Sequence, residues 1–129
     1  MARHLTILAI LVRLWGGLAL LVGLSLLLLS AGALAIVLDP NAEAVALPAG
    51  LTAGAFMTLG VSALVWGGAH VWAGVRLIRH DARARILTLA LAVVNLLILP
   101  FGTALGGYAL WVLLTDEGRG LFVHGPVTP

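Results

Sequence analysis

Long apolar stretches separated by short polar segments organise this chain. One apolar run extends from Leu5 to Leu38 and is interrupted only by Arg13, and two more cover 50–75 and 86–115. The polar segments between them are 39–49 and 76–85. A helix needs about 20 apolar residues to cross a hydrocarbon core of about 30 Å, and each run reaches that length. The pattern therefore predicts helices that span a membrane.

The first run is too long for a single crossing, since it would measure roughly 50 Å as a helix. We therefore place the span at about 14–38, with residues 1–13 near the cytoplasmic interface or extending the helix beyond it. Asp39-Pro40-Asn41 ends it, because proline disfavours helix in the residue before it. A cleaved signal peptide is the competing interpretation, but the apolar core at 14–29 exceeds the usual h-region of about 7–15 residues.

The last apolar run contains its own break, Pro100-Phe101-Gly102-Thr103. This turn chemistry predicts two short helices joined by a tight turn at or just inside the far interface, with Gly102 and Thr103 providing the turn and an N-terminal cap. One kinked, tilted helix over 86–115 is the alternative. The predicted fold class is an all-α polytopic membrane helix bundle, a single domain over 1–129 with an irregular tail at about 117–129. Its four transmembrane helices lie at about 14–38, 50–75, 82–99 and 103–116, the last two forming a short hairpin.

Arginine placement predicts the orientation of these spans. Four arginines lie in 76–85 and none in 39–49, while Arg3 and Arg13 lie near the N-terminus. Because arginine-rich segments stay cytoplasmic, the N-terminus and the 76–85 turn are expected inside and the 39–49 loop outside. With four helices both termini are cytoplasmic. With three, the C-terminus would be outside.

Composition supports a bilayer environment and removes several function classes. The chain is 62% hydrophobic and 9% charged, against about 45–50% and 25% for soluble domains. All seven basic residues are arginine, and no basic patch is interleaved with aromatics as a nucleic-acid surface requires. The absence of cysteine excludes disulfides, thiolate metal sites and a cysteine nucleophile.

Small residues recur every seven positions on the first two helices. Seven residues make almost two helical turns, so each series forms a narrow stripe on one face. Small residues let helix backbones approach closely in a bilayer, so we predict that the two stripes pack against each other in an antiparallel pair, or that one packs against another subunit. The last two helices carry a weaker series, and Gly102 with Gly106 forms a G-x-x-x-G pattern. The stripe residues are Ala2, Ala9, Gly16, Gly23 and Ser30 on the first helix, Ala53, Gly60, Gly67 and Gly74 on the second, and Thr88, Asn95, Gly102 and Ala109 in the weaker series.

Two polar side chains lie inside predicted spans. His70 is the one histidine there, and burying an ionisable group is costly enough to make it a functional candidate. We expect a neutral imidazole hydrogen-bonded across helices. A proton relay, a ligand contact, or haem or metal binding are the alternatives. Asn95 needs a partner in hydrocarbon and is expected to bond across helices as structural glue.

Candidate chemistry elsewhere is sparse. All five acidic residues lie outside the apolar runs, and no catalytic, metal-binding or phosphate-binding pattern is present, so neither an enzyme nor a cofactor is predicted. Arg76, Arg79, Arg83 and Arg85 are candidates for binding anionic lipid headgroups, although orientation by charge alone also explains them.

Three segments of the C-terminal half form a distinctive combination: Arg83-Ala84-Arg85-Ile86-Leu87, Asn95-Leu96, and 100–114, whose first fourteen positions read P-x-G-T-x-L-G-x-Y-x-L-W-V-L. This combination resembles a group of uncharacterised small bacterial membrane proteins with four predicted spans. An aromatic residue often precedes the A-R pair in that group, where Arg83 stands here. The resemblance covers roughly a quarter of the chain. It implies four helices and a bacterial inner-membrane location, and implies no activity.

These observations predict a non-enzymatic scaffold or accessory subunit that assembles through its small-residue stripes with itself or with a larger membrane complex. The lipid bilayer is its expected environment and nucleic acid is not an expected partner. The alternatives are an oligomeric channel or carrier for a small solute or ion, and a membrane cofactor-binding protein using His70.

Overall fold

A computed structural model describes residues 2–98 and 100–123, and their regular structure is entirely helical. This confirms the all-α prediction. The described helices, in chain order, are α1 (Ala2–Val37), α2 (Glu43–Leu77), α3 (Ala82–Asn95), α4 (Phe101–Leu114) and α5 (Asp116–Val123). Two of them, α1 and α2, are long and apolar enough to cross a membrane, while α4 is a shorter apolar helix.

Helix α1 begins well before the predicted boundary at 14. Of the two interpretations of residues 1–13, the structure shows the helical extension, from Ala2 onward. Its inner face carries Leu5, Leu8, Ala9 and Val12, each at most 3% exposed. Their spacing of three, one and three residues places them on one helical face. Packing of this face therefore extends α1 beyond the start at 14 that membrane thickness alone predicts.

Helix α2 also begins early, so the prediction that 39–49 is a loop throughout is wrong from Glu43 onward. The connection is short because Asp39 accepts a hydrogen bond from the backbone N–H of Asn41 at 2.9 Å and tightens the turn. Glu43 then supplies a negative charge at the helix N-terminus, where it is favourable. Pro48 lies near the start of α2 and costs one backbone hydrogen bond without ending the helix.

The turn between α2 and α3 stops one helix and starts the next within a few residues. His80 has a φ of 55°, the left-handed conformation that commonly ends helices and usually belongs to glycine. The Asp81 carboxylate then accepts a hydrogen bond from the Arg83 N–H at 2.9 Å. This N-cap begins α3 at Ala82, as predicted.

Helices α3 and α4 are separate, so the alternative of one kinked helix is wrong. Helix α3 ends at Asn95, before the predicted boundary at 99. Helix α4 begins at Phe101, before the predicted boundary at 103. Pro100 occupies the N-cap position, and no side chain caps the helix there. The predicted capping role of Thr103 is also wrong, because its hydroxyl donates to the Leu96 carbonyl at 2.9 Å and closes the turn from within α4.

The prediction of an irregular tail is wrong for 117–123, where α5 forms. Thr115 accepts a hydrogen bond from the Gly118 N–H through its hydroxyl and from the Arg119 N–H through its carbonyl. Asp116 and Glu117 fill the first turn of α5. A threonine followed by two acidic residues is an N-terminal helix signal that the glycines and prolines of the tail obscured. The remaining part of the predicted tail, 124–129, lies outside the described residues.

The chain divides into two compact units. The first combines Met1–Gly16 with Ala69–Pro129, and the second is Gly17–Gly68. Each unit thus includes part of α1 and part of α2, and α3, α4 and α5 belong to the first unit. We describe the two units separately below.

Candidate functional site

A buried polar pair joins α2 to α3 inside the first unit. The Asn95 side-chain amide lies 2.9 Å from Nε2 of His70. Both residues are almost fully buried, with 2% and 1% of their surfaces exposed. The Asn95 Nδ2 group can only donate, so Nε2 of His70 accepts and the ring carries its proton on Nδ1. The geometry therefore describes a neutral imidazole held across two helices.

This pair borders a small cavity of about 10 Å³. Asn95, His70 and Thr88 contribute its polar edge. The rest of the wall is apolar and comes from α1, α3 and α4: Val12, Leu91, Ala92, Leu105 and Ala109. The site is therefore a buried polar patch beside hydrocarbon side chains, where an unpaired polar group would be costly.

One side-chain atom of Asn95 has no partner among the described residues. Asn95 Oδ1 is buried and accepts no hydrogen bond from any described residue. The Thr88 hydroxyl donates to the Ala84 carbonyl at 2.7 Å and so keeps only acceptor capacity. Thr88 and Asn95, two turns apart on α3, thus each bring an oxygen acceptor beside the cavity.

The arrangement is unlike a metal centre. Within residues 2–98 and 100–123, no three His, Asp or Glu side chains come together in a way that could hold a metal ion. The Nε2 lone pair of His70 is occupied by Asn95, so metal or haem ligation through that atom would first require this hydrogen bond to break. As it stands, the pair can orient an imidazole and join two helices.

The small-residue stripes face each other inside the second unit. A Cβ atom added to Gly23 would lie 2.9 Å from the Gly60 carbonyl oxygen, and one added to Gly60 would lie 3.0 Å from that of Gly23. Seven residues further along α1, the Ser30 hydroxyl donates to the Ala53 carbonyl at 2.8 Å. Moving from Gly23 to Ser30 on α1 thus means moving back from Gly60 to Ala53 on α2, which is antiparallel packing.

The first unit contains a similar approach between α1 and α2. A Cβ atom on Gly74 would lie 2.9 Å from the Ala9 carbonyl oxygen and 2.7 Å from Cγ of Arg13. Two further stripe residues are buried as well, Gly16 in the first unit and Gly67 in the second. Of the predicted stripe, only Ala2 has a side chain outside the described residues.

Glycines of α4 allow this helix to pack closely against α3. A Cβ atom on Gly106 would meet the Ala92 carbonyl oxygen at 2.5 Å, and one on Gly102 would meet that of Asn95 at the same distance. No larger residue fits at either position unless the helices separate. This close approach also brings Leu105 and Ala109 to the cavity beside Asn95.

The four arginines proposed for lipid headgroups have different surroundings. Arg76 forms an ion pair with Asp81 at 3.3 Å and lies over the ring of Trp72 at 5.4 Å. Arg85 donates to the carbonyl of Leu113 at 3.1 and 3.3 Å, near the end of α4. Arg79 and Arg83 are exposed, and the described part of the chain gives their side chains no hydrogen-bond or ion-pair partner.

Sequence reasoning identified His70 and Asn95 separately and missed that they are partners. It also missed Thr88 as a lining residue, although Thr88 and Asn95 share the seven-residue series on α3. A second missed contact joins the start of α1 to α4. Nδ1 of His4 lies 3.2 Å from the Tyr108 hydroxyl, and the His4 ring contacts the Trp111 ring edge-on. No local pattern links residues 104 positions apart.

Comparisons with protein-family models, with curated proteins and with solved structures gave no match to this chain. The assignment of a function therefore depends on the geometry described above.

Proposed function

We propose that this protein is a multi-pass inner-membrane protein of the small four-span group it resembles, acting as a non-enzymatic scaffold or accessory subunit. The observation that carries the membrane assignment is the exposure of apolar side chains on α1 and α2. Only 11% and 17% of their most apolar windows are buried, although core helices of soluble proteins are mostly buried. Leu21 and Leu28, for example, are 64% and 67% exposed. Lipid is the environment that accepts such a surface.

The hairpin of α3 and α4 enters the bilayer from the cytoplasmic side in this proposal. Each helix has 14 residues, or about 21 Å, which is less than the hydrocarbon thickness of about 30 Å. The turn between them therefore stays just inside the far interface. Its residues suit that depth, since Leu97 and Phe101 are apolar and 82% and 75% exposed.

Backbone groups of this turn also form hydrogen bonds within the protein, which matters in hydrocarbon because unpaired polar groups are costly there. The N–H groups of Leu97 and Ile98 donate to the carbonyls of Val94 and Asn95. The Thr103 hydroxyl satisfies the Leu96 carbonyl, and Pro100 has no N–H to satisfy. Among the described residues, these contacts satisfy several backbone groups of the turn within the protein.

Arginine placement supports the orientation, with both termini and the 76–85 turn in the cytoplasm. Arg79 and Arg83 are the arginines available to anionic headgroups there, because Arg76 and Arg85 already have protein partners. Lipid contact at this turn is therefore assigned to two of the four candidates.

A scaffold or accessory role is favoured over the two alternatives. The small-residue contacts seen at Gly23, Gly60, Gly102 and Gly106 lie within one chain, so a partner would bind through other surfaces. The cavity beside Asn95, at about 10 Å³, provides no path for a larger solute, so the channel alternative is one that forms between copies. A cofactor role for His70 would require the loss of its bond to Asn95.

Single-cysteine labelling tests the membrane arrangement, because the chain has no native cysteine. Three variants are treated with a membrane-impermeant maleimide in spheroplasts and in inverted vesicles. We expect Asn41→Cys to react in spheroplasts, Arg79→Cys to react in inverted vesicles, and Leu97→Cys to react in neither. Labelling of Leu97→Cys in spheroplasts as fast as Asn41→Cys would contradict the depth of the hairpin, and exchanged reactivity of the other two would contradict the orientation.

Gentle extraction followed by native mass spectrometry tests the accessory role. We expect the chain to leave the membrane with a stoichiometric protein partner or as a defined oligomer without cofactor mass. A coloured or metal-bearing monomer that loses its spectrum on His70→Ala would instead establish the cofactor alternative.

A further inference from the structure

We propose that the cavity between α1, α3 and α4 binds one water molecule, which donates a hydrogen bond to Asn95 Oδ1. This inference concerns the interior of the first unit and does not depend on the proposed accessory role. It begins from the one buried side-chain atom at the cavity that lacks a partner, Asn95 Oδ1. Buried acceptors of this kind are nearly always satisfied by protein or by ordered water.

Residues 2–98 and 100–123 offer Asn95 Oδ1 no donor. The hydroxyl proton of Thr88 is committed to the Ala84 carbonyl at 2.7 Å. Nε2 of His70 is an acceptor, because it receives the Asn95 amide. The other lining residues, Val12, Leu91, Ala92, Leu105 and Ala109, have apolar side chains. We therefore assign the donor to a bound molecule.

The size of the cavity selects that molecule. Its volume of about 10 Å³ is room for the centre of one water, at the lower limit of about 10–15 Å³ at which cavities hold water. Only a water-sized group fits inside it.

The chemistry of the edge selects the same ligand. Asn95 Oδ1 and Thr88 Oγ1 are both acceptors, so a neutral hydrogen-bond donor is preferred and an anion is not. A cation such as Ca²⁺ takes six to eight oxygen ligands, and the edge supplies side-chain oxygens from two residues only. Water is the donor that satisfies both size and charge.

Asparagine-selective ¹⁵N labelling tests this directly, because the chain has two asparagines, Asn41 and Asn95, and no glutamine. In detergent-solubilised full-length protein, a water-to-amide Overhauser experiment reports on each side-chain amide. We expect the side-chain amide of Asn95 to show a cross-peak to water whose sign is that of a long-lived contact between water and protein. Exposed Asn41 is expected to show only the signature of rapidly exchanging surface water. A folded wild-type protein without a water cross-peak at Asn95 would overturn the proposal.

Two variants of α4 locate the water. Ala109→Val adds two methyl groups at the cavity wall and should reduce the Asn95 cross-peak at least fivefold. Gly107→Ala is the matched control, because nothing lies within 4 Å of its new Cβ atom, and it should leave the cross-peak unchanged. An undiminished cross-peak in folded Ala109→Val would overturn the assignment to this cavity. If that variant does not fold, the wild-type result decides, together with electron density within hydrogen-bonding distance of Asn95 Oδ1 in a high-resolution structure.

Discussion

Replacement of Gly60 by alanine tests whether close backbone approach stabilises the pair of helices in the second unit. The added Cβ atom would lie 3.0 Å from the Gly23 carbonyl oxygen and 3.0 Å from Cγ and Cδ2 of Leu27. Ordinary contacts begin near 3.4 Å. The carbonyl belongs to a helix backbone and cannot rotate away, so α1 and α2 must separate by a few tenths of an ångström.

Two opposing free-energy contributions determine how much Gly60→Ala changes the stability. Overpacking a close contact costs about 1–3 kcal/mol, whereas alanine gains about 1 kcal/mol over glycine in a helix interior. We expect Gly60→Ala to lower the free energy of unfolding by about 1 kcal/mol. Gly54 is the matched control on the same helix, because nothing lies within 4 Å of its added Cβ. Gly54→Ala should therefore be neutral or stabilising by up to about 1 kcal/mol.

The assay is reversible unfolding in mixed micelles of increasing dodecyl sulfate fraction, followed by circular dichroism. The expected difference between the two variants is about 1–2 kcal/mol, or roughly five- to thirtyfold in the unfolding equilibrium. Gly23→Ala and Gly32→Ala repeat the comparison on α1. A Cβ atom on Gly23 would lie 2.9 Å from the Gly60 carbonyl oxygen, whereas one on Gly32 would have no neighbour within 4 Å. Equal effects within either matched pair would refute the argument that this packing limits side-chain size.

Three further substitutions test other parts of the first unit by the same unfolding titration. Asn95→Leu removes the hydrogen bond to His70 and should cost about 1 kcal/mol, the usual value for such bonds between membrane helices; unchanged stability together with an unchanged His70 ¹⁵N spectrum would show that the bond is absent. His80→Gly relieves a left-handed φ of 55° and should stabilise the chain by about 1 kcal/mol, so a loss of stability would contradict the strain argument. Arg85→Gln removes two hydrogen bonds to the end of α4 and should cost about 1–2 kcal/mol. The exposed Arg83→Gln should change stability by less than about 0.5 kcal/mol, and similar losses in both would mean that the contacts of Arg85 add nothing.

Local patterns in the sequence determined much of the helical layout. The apolar runs predicted an all-helical chain, and Pro100-Phe101-Gly102-Thr103 predicted the break between α3 and α4. Both features depend on neighbouring residues, since periodicity and proline geometry act within a few positions. The boundaries were less predictable. Membrane thickness suggested a first span starting near 14, but the buried face at Leu5 and Leu8 continues α1 back to Ala2.

Partners of the individual side chains were decided by the tertiary structure. The seven-residue spacing marked Gly23 and Gly60 on separate helices, but only the antiparallel register of α1 and α2 places one carbonyl against the other glycine. The approach of α2 to α3 likewise joins His70 to Asn95, 25 positions apart.

The same distinction explains why four similar arginines have different surroundings. Arg79 and Arg83 remain exposed as charge patterning alone suggests, whereas Arg85 bonds to α4 and Arg76 to Asp81. A sequence specifies which side chains can donate, accept or allow close approach. The positions of the helices relative to one another, within each unit, determine which of those capacities are used, because hydrogen bonds and packing contacts act over only a few ångströms.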